Sequence, residues 1–466
     1  MSGGAIPSNV EQTSSAPLEQ LVMHANRAPI YMLPAEVLQL IYEDVVHGVF
    51  AQFWYHDFFI GEGGEIEDTW LSPMRLASVC CNWKRVAFAT PAIWSYFSIP
   101  LSTSVAEQRL AGLVDALEIQ LVRAKTHPTE AAIVFDLAAP MPLEAEPVSD
   151  WNRLFCIAEG VLSRCTDATI LLLPLDANEP STGAKRAVQR LSSVEATKLR
   201  NLRLLLADET GAALSPRVIN QVGIGIPFQS TSTASLEYLH ILGALPQTQG
   251  GIHLKALEEL RIDTEETLQV SVLVDILDTA PCLRRLRILA SQLDPLPEQI
   301  MVAHKSVEFV RIRLQHVNDT AHRLRFNFPS LRTLKIGFDD VPVGEVLSST
   351  NSEIPTEAKL EFIRVLCRSS DTLESLHLWR LEANLGLTTI ISSLILPRLN
   401  SLTISESLLD PVLWDELARS RAALPRLRDF KCMDCTTPDA QLHSEASLSE
   451  HVFGNQLIFL SNFAGG

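Results

Sequence analysis

Pro281-Cys-Leu-Arg-Arg-Leu-Arg-Ile288 is the stretch on which the fold of this chain turns. Leu286 and Ile288 alternate with Arg287, the period of a strand with one apolar and one charged face. Leu283 stands three residues before Leu286, just past a proline that cannot prolong a preceding helix. The same Leu-x-x-Leu-x-Leu/Ile spacing recurs at Leu199–Leu204, Leu236–Ile241, Leu257–Ile262, Val307–Ile312, Leu331–Ile336, Leu373–Leu378 and Leu399–Ile404. It ends in a weaker copy, Leu427-x-x-Phe430-x-Cys432. In each copy the last two apolar residues are expected to point inward from a short strand, and the first to cover the turn before it. Helical patterns lie between the copies at Leu268–Thr279, Glu357–Arg368, Leu387–Leu394 and Pro411–Ser420, and Pro281, Pro329, Pro397 and Pro425 precede the next strand.

Successive copies start mostly about 21 to 28 residues apart, the period of leucine-rich repeats. A unit of this size buries its apolar face only against its neighbours. The expected product is an α/β solenoid: an irregular leucine-rich-repeat domain with parallel strands and outer helices. The Asn of many such repeats is mostly missing, and the gaps Leu199–Leu236 and Leu331–Leu373 imply inserted loops. A doubly wound α/β domain is the competing fold, but Gly223-x-Gly225 is isolated and no Gly-rich phosphate loop supports it.

Upstream, Tyr31-Met-Leu-Pro-Ala-Glu-Val-Leu-Gln-Leu-Ile-Tyr42 reads as a helix with Pro34 in its first turn, with Leu38, Ile41 and Val45 making an apolar face. Leu76, Val79, Trp83 and Ala87 repeat the pattern, followed by Thr90-Pro-Ala-Ile-Trp94. So small a helical pair cannot bury a core alone. Three blocks in order, Leu33-Pro34-x-Glu36-x-Leu38-x-x-Ile41, Val79-Cys80-x-x-Trp83-x-x-Val86-Ala87 and Thr90-Pro91-x-Ile93-Trp94, resemble the F-box, specifically the F-box-like region of proteins abundant in mushroom-forming fungi. The stretch His47–Trp70 between them is longer than a compact F-box and reads as an insert. An ordinary helical hairpin packed on its own chain is the alternative. The resemblance implies docking on the Skp-type adaptor of a cullin–RING ubiquitin ligase, with Leu33, Pro34, Glu36, Leu38, Ile41, Val79 and Trp83 as candidates for the docking surface or its support.

The expected organisation is a disordered segment over 1–28, an F-box-like helical domain over 29–101 with its insert at 47–70, and a connecting helix plus repeats over 102–466. Ser104-x-x-Glu107 is a capping box for that helix, with Val105, Leu110, Leu113, Leu117 and Leu121 apolar; strand Ala131–Leu137, helix Trp151–Leu162 and strand Thr169–Leu173 follow.

The chain has 466 residues, 47% hydrophobic, ample for a large core. A net charge of −17 argues against nucleic acid as a general partner. No apolar run reaches the roughly 18 residues of a membrane span, and no secretory signal is visible, so a cytoplasmic or nuclear location is expected. The eight cysteines form no dense framework and fit reduced thiols. Cys432-x-x-Cys435 has a metal-like spacing but lacks a second pair. The histidines show no metal-ligand spacing, and no Walker loop, His-Glu-x-x-His or Gly-x-Ser-x-Gly elbow is present. No catalytic group, cofactor or metal is therefore expected; Trp83, Trp94, Cys80 and Cys81 read as packing residues.

One pattern exceeds what packing requires. The middle residue of each Leu-x-Leu triplet faces away from the core, and in chain order these are Arg203, His240, Arg261, Arg287, Arg311, Lys335, His377, Thr403 and Lys431. Adjacent parallel strands lie about 4.8 Å apart, and like charges at about 5 Å repel by roughly 0.8 kcal/mol even in water. Arg285 and Arg313 would widen the column and Trp379 would add an aromatic contact. The expected ligand is an acidic or phosphorylated protein segment. The competing explanation is a solvated strand face neutralised by neighbours such as Glu259, Asp263 and Asp429. Together these features anticipate a non-catalytic substrate receptor: F-box to the Skp-type adaptor and thence a cullin, repeats to a protein substrate. The alternative is a non-ligase scaffold with a degenerate F-box.

Overall fold

The computed structural model describes residues 33–55, 72–101, 107–136, 149–173, 182–206, 235–243, 254–264, 267–294, 300–315, 317, 324–338, 356–368, 371–381, 396–407, 426–433 and 459–461. In chain order its helices are α1 (Ala35–Tyr55), α2 (Ser72–Ser78), α3 (Cys81–Ala89), α4 (Glu107–Ala124), α5 (Asp150–Leu162), α6 (Thr182–Ser192), α7 (Val270–Thr279) and α8 (Thr356–Cys367). The strands are β1 (Tyr96–Leu101), β2 (Thr129–Asp136), β3 (Cys165–Leu173), β4 (Asn201–Leu206), β5 (Tyr238–Leu242), β6 (Glu259–Asp263), β7 (Thr267–Gln269), β8 (Arg285–Ala290) and β9 (Gln292–Asp294). Then come β10 (Ile300–Ala303), β11 (Phe309–Leu314), β12 (Leu324–Asn327), β13 (Thr333–Phe338), β14 (Ser375–Trp379), β15 (Ser401–Ser405), β16 (Asp429–Met433) and β17 (Phe459–Ser461).

The architecture is mixed α/β around one 13-stranded sheet, ordered β1-β2-β3-β4-β5-β6-β8-β11-β13-β14-β15-β16-β17. Its strands are parallel and follow chain order without a crossover, the arrangement of a solenoid-like stack rather than a doubly wound sheet. The recurring apolar spacing explains the register. Leu239, Leu260, Leu286, Val310, Leu334, Leu376, Leu402 and Phe430 are lateral neighbours on successive strands, and all are buried. Each such side chain contributes about 1.5–3 kcal/mol relative to exposure.

In five of the copies the first leucine closes a turn of the backbone. The N–H groups of Leu199, Leu257, Leu283, Leu331 and Leu399 each donate to the carbonyl three residues earlier, at 3.0–3.2 Å. Backbone carbonyls then zip the turns together: Glu258 O accepts from Arg284 and Arg285, and Arg284 O accepts from Glu308 and Phe309. The side opposite the cations is not purely helical. Beside α7 and α8 it carries two short parallel pairs, β7–β9 and β10–β12, because Ile300–Ala303 and Leu324–Asn327 alternate and are too short for a helical turn sequence. The expected helices at 387–394 and 411–420, and the 104–107 cap, lie outside the described residues.

The sheet begins at Tyr96, inside the segment expected to be helical, so the N-terminal helices run straight into it. Pro34 O accepts from Val37 N and Leu38 N and starts α1, which continues to Tyr55 through part of the expected insert. The buried stripe of α1 is Leu38, Tyr42 and Val46, spaced by four, and not Leu38, Ile41 and Val45. Tyr42 takes the inner place because its ring meets Trp83 with centroids 5.1 Å apart. The second half is two helices, since the chain is extended at Cys80 (φ −162°); Val79 therefore falls outside the buried face that Ala77, Trp83, Val86 and Ala87 make. Trp94 is a packing residue with a cap: its Nε1–H donates to Ala87 O at 2.7 Å, at the C-terminal end of α3.

Candidate functional site

The column of middle residues is real. Thr169, Arg203, His240, Arg261, Arg287, Arg311, Lys335, His377, Thr403 and Lys431 are lateral neighbours across β3, β4, β5, β6, β8, β11, β13, β14, β15 and β16. Arg285 and Arg313 lie on the same face, two residues to either side of this row, and Trp379 follows His377 by two. All of the expected cations thus share one face.

Their electrostatics divides the row in two. Toward the N-terminus the charges are internally compensated. Asp263 accepts from Arg261 Nε at 2.7 Å and lies 2.9 Å from His240 Nε2. Burial alone would raise its carboxyl, but the hydrogen bonds and charge of His240 and Arg261 outweigh that and hold it below the ordinary range. Burial pushes His240 down despite this acid, so Arg261 supplies the positive charge at neutral pH. Glu259 lies 3.4 Å from Arg285 and 3.1 Å from Arg287 Nε, the latter without hydrogen-bond alignment. Asp429, the third expected neutraliser, makes no ion pair among the described residues.

Beyond Arg287 the described surroundings of Arg311 and Lys335 differ. Among the described residues no carboxylate pairs with Arg311 or Lys335. Burial, then Arg287 and Arg313, lowers the Arg311 pKa; burial, then Arg311 and Arg287, lowers that of Lys335. Aromatic faces take the place of acids. The Arg311 guanidinium carbon sits 5.3 Å from the Trp379 ring, and Lys335 Nζ and Arg287 sit 5.9 and 5.7 Å from the Phe309 ring.

These side chains line a cleft of about 190 Å³. Arg311, Arg313 and Lys335 form its cationic wall, and His377 and Trp379 its aromatic one. His377 Nε2 lies 2.8 Å from Ser405 Oγ, and burial, then Lys335 and Arg311, keeps this imidazole below its ordinary pKa. Arg380 and Glu406 close the rim through an Nε–Oε2 contact of 2.7 Å. Both have left-handed backbone, φ 54° and 46°, a strained state for residues with a Cβ. Gly337 makes the aromatic wall possible: a Cβ there would stand 1.9 Å from Trp379 Cε2. The Trp379 indole therefore occupies the space over Gly337 of β13.

Sequence reasoning located the cations and Trp379 but missed Gly337, Ser405, Arg380 and Glu406. Gly337 had a readable signal: it occupies the same register position as Arg313 and Trp379, where only a side chain of zero size lets a large neighbour cross. Arg380 and Glu406 each follow the first leucine of their copy by seven residues, as does Gly243 (φ 110°).

The N-terminal candidates separate by exposure. Leu38 and Trp83 are buried and serve as support; Leu33 and Ile41 are half-buried; Pro34, Glu36 and Val79 are exposed. Glu36 sits in the first turn of α1, where a carboxylate complements the helix dipole. Exposed apolar side chains flank them: Val37, Leu40 (66% exposed), Val45 and Met74. On α1 these residues and Ile41 fall within an arc of about 140° at about 100° per residue. Cys80 is half-buried and Cys81 exposed. Among the described residues no group of His, Cys, Asp and Glu could hold a metal ion, and no helix is long and apolar enough to cross a membrane. The chain matches no protein-family model and no curated protein sequence.

Proposed function

We propose that the chain is the substrate-receptor subunit of a Skp–cullin–F-box-type ubiquitin ligase, with an F-box-like N-terminal unit and a leucine-rich-repeat arm. The observation that carries this is the exposed apolar arc on α1 in a helical unit whose own core is already filled by Leu38, Tyr42, Trp83 and Trp94. Solvent-facing Leu40, Val37 and Val45 beside Pro34 add nothing to that core and suit an adaptor's groove. The cationic face is the substrate arm. The receptor performs no bond chemistry; it raises the concentration of bound substrate near the ligase.

The test is co-purification of the full chain with a Skp-type adaptor. The wild type is expected to retain it stoichiometrically and Leu40→Asp to lose it at unchanged melting temperature. Failure of folded wild-type protein, beside a control F-box that binds, refutes the ligase reading. A scaffold with a degenerate F-box is the second reading, favoured by the burial of Leu38 and Trp83 within the chain's own core; that failure would select it.

A further inference from the structure

The cationic row was expected to act as one stripe along its length, but among the described residues two cations of its second half, Arg311 and Lys335, stand without an acid partner. Arg261, Arg285 and Arg287 are each near Asp263 or Glu259, so an incoming acid there competes with a carboxylate already in place. At Arg311 and Lys335 no such competitor is present among the described residues, and each lies on the partner strand of the other at matching register. An anion placed between them relieves their mutual repulsion and faces no displaced acid. Among the described residues lining the cleft the one carboxylate, Glu406, is held at the rim by Arg380.

Resting on the substrate-receptor reading of this face, we infer that the cleft between Arg311, Lys335 and Trp379 is a seat for one phosphate monoester dianion, carried by a phosphorylated segment of the protein partner. Size favours a single group. At about 190 Å³ the cleft is below the roughly 300 Å³ at which pockets for whole small molecules begin. Chemistry favours phosphoryl over carboxylate. A guanidinium fork and an ammonium on neighbouring strands offer donors to three oxygens, and a phosphoryl group carries about −1.5 to −2 charge against −1 for a carboxylate. His377, committed to Ser405, adds a polar wall without an acid. A protein carrier is favoured because Arg311 is solvent-exposed and the face continues across Arg287, Arg261 and Arg203, giving a crossing chain room for flanking acidic residues.

Titration calorimetry on the full chain tests this with the acetylated, amidated peptide Ala-Glu-phosphoSer-Glu-Ala, its Glu-for-phosphoserine form, and glucose 6-phosphate. The phosphopeptide should bind one to one and at least tenfold more tightly than the other two. Arg311→Gln and Lys335→Gln should each weaken it at least tenfold, Lys335→Arg should retain most of it, and Arg398→Gln, an equal loss of charge on an exposed turn elsewhere, should change it less than twofold. Equal affinity for the glutamate peptide, or an effect of Arg398→Gln matching that of Lys335→Gln, overturns a built phosphoryl seat in favour of diffuse charge. Equal affinity for glucose 6-phosphate overturns the protein carrier. Adaptor retention is measured on the same preparation. Phosphopeptide binding without adaptor retention refutes the receptor reading alone, and adaptor retention without phosphopeptide discrimination refutes this inference alone.

Discussion

Gly337→Ala adds one carbon and should dismantle the aromatic wall of the cleft. The new Cβ would stand 1.9 Å from Trp379 Cε2, 2.2 Å from Nε1 and 2.3 Å from Cδ2. Carbon contacts settle at about 3.5–4.0 Å, so the indole must retreat by about 1.5 Å or more. It is nearly fully buried, with His377 at 5.7 Å and Arg311 at 5.3 Å, so no small adjustment absorbs the overlap and the ring must leave its rotamer. Overpacking of this kind costs about 1–3 kcal/mol, and loss of the Arg311 cation–π contact about 0.5–1 kcal/mol more. Urea denaturation should therefore show the variant destabilised by about 1.5–4 kcal/mol with an unchanged slope. The cause is isolated by a double-mutant cycle with Trp379→Ala. If the indole is the obstacle, Gly337→Ala becomes nearly neutral in that background. A cost under about 0.5 kcal/mol in the wild type, or the same cost in both backgrounds, refutes the assignment of Gly337 as the seat of Trp379.

Two further outcomes concern protons. Burial, then the lateral neighbour Asp167, pushes the Glu130 pKa up to about 7, so the folded state holds a proton that the unfolded chain releases near the ordinary 4.5. Stability from this group is present below that value and is lost as pH rises through about 7; Glu130→Gln should remove the loss and gain about 1–2 kcal/mol at pH 8, a ceiling of about 3.4 kcal/mol being discounted for partial exposure, and equal melting temperatures at pH 8 would sink the idea. Asp263 has the opposite sign, its depressed pKa giving stability above the unfolded value that disappears as pH falls through the folded one; Asp263→Asn should cost about 1–3 kcal/mol at pH 7 and flatten the acid limb of the thermal profile, and an unchanged limb would show that His240 and Arg261 do not hold it.

The sheet was readable because its determinants repeat. Leu286 and Ile288 alternate, Leu283 closes the turn, and the spacing returns often enough to fix the register that places Arg287 beside Arg261 and Arg311. Local pattern failed where tertiary contact decides. Ile41 and Val45 have helical spacing as good as that of Tyr42 and Val46, and only the Trp83 ring across the hairpin selects the latter pair. The break at Cys80 was hidden for the same kind of reason: nothing in Ser78-Val-Cys-Cys81 forbids a helix, and the turn of α2 against α3 imposes the extended residue. In the cleft, charge was legible as residue type, whereas the strained backbone at Arg380 and Glu406 was not, because neither residue type signals φ > 0.

A column of cations across parallel strands needs a reason to persist, since each neighbouring pair opposes folding. The two halves of the row answer differently. In the first, Asp263 and Glu259 sit on the same face as the arginines and convert repulsion into short ion pairs, so the charges there are explained by the fold itself. In the second, the described neighbours of Arg311 and Lys335 include Phe309, Trp379 and a His377 imidazole held neutral, none of which cancels a charge. Aromatic faces attract cations by about 0.5–1 kcal/mol at exposed sites, comparable to the roughly 0.8 kcal/mol of repulsion per pair at about 5 Å in water. The balance is near zero and leaves the positive potential intact. Strained backbone at the rim and a glycine cleared for the indole add conformational cost at the same place. Among the described residues uncancelled charge, an aromatic wall and local strain coincide between β11 and β15, and it is there that the proposed phosphoryl seat would give them a common purpose.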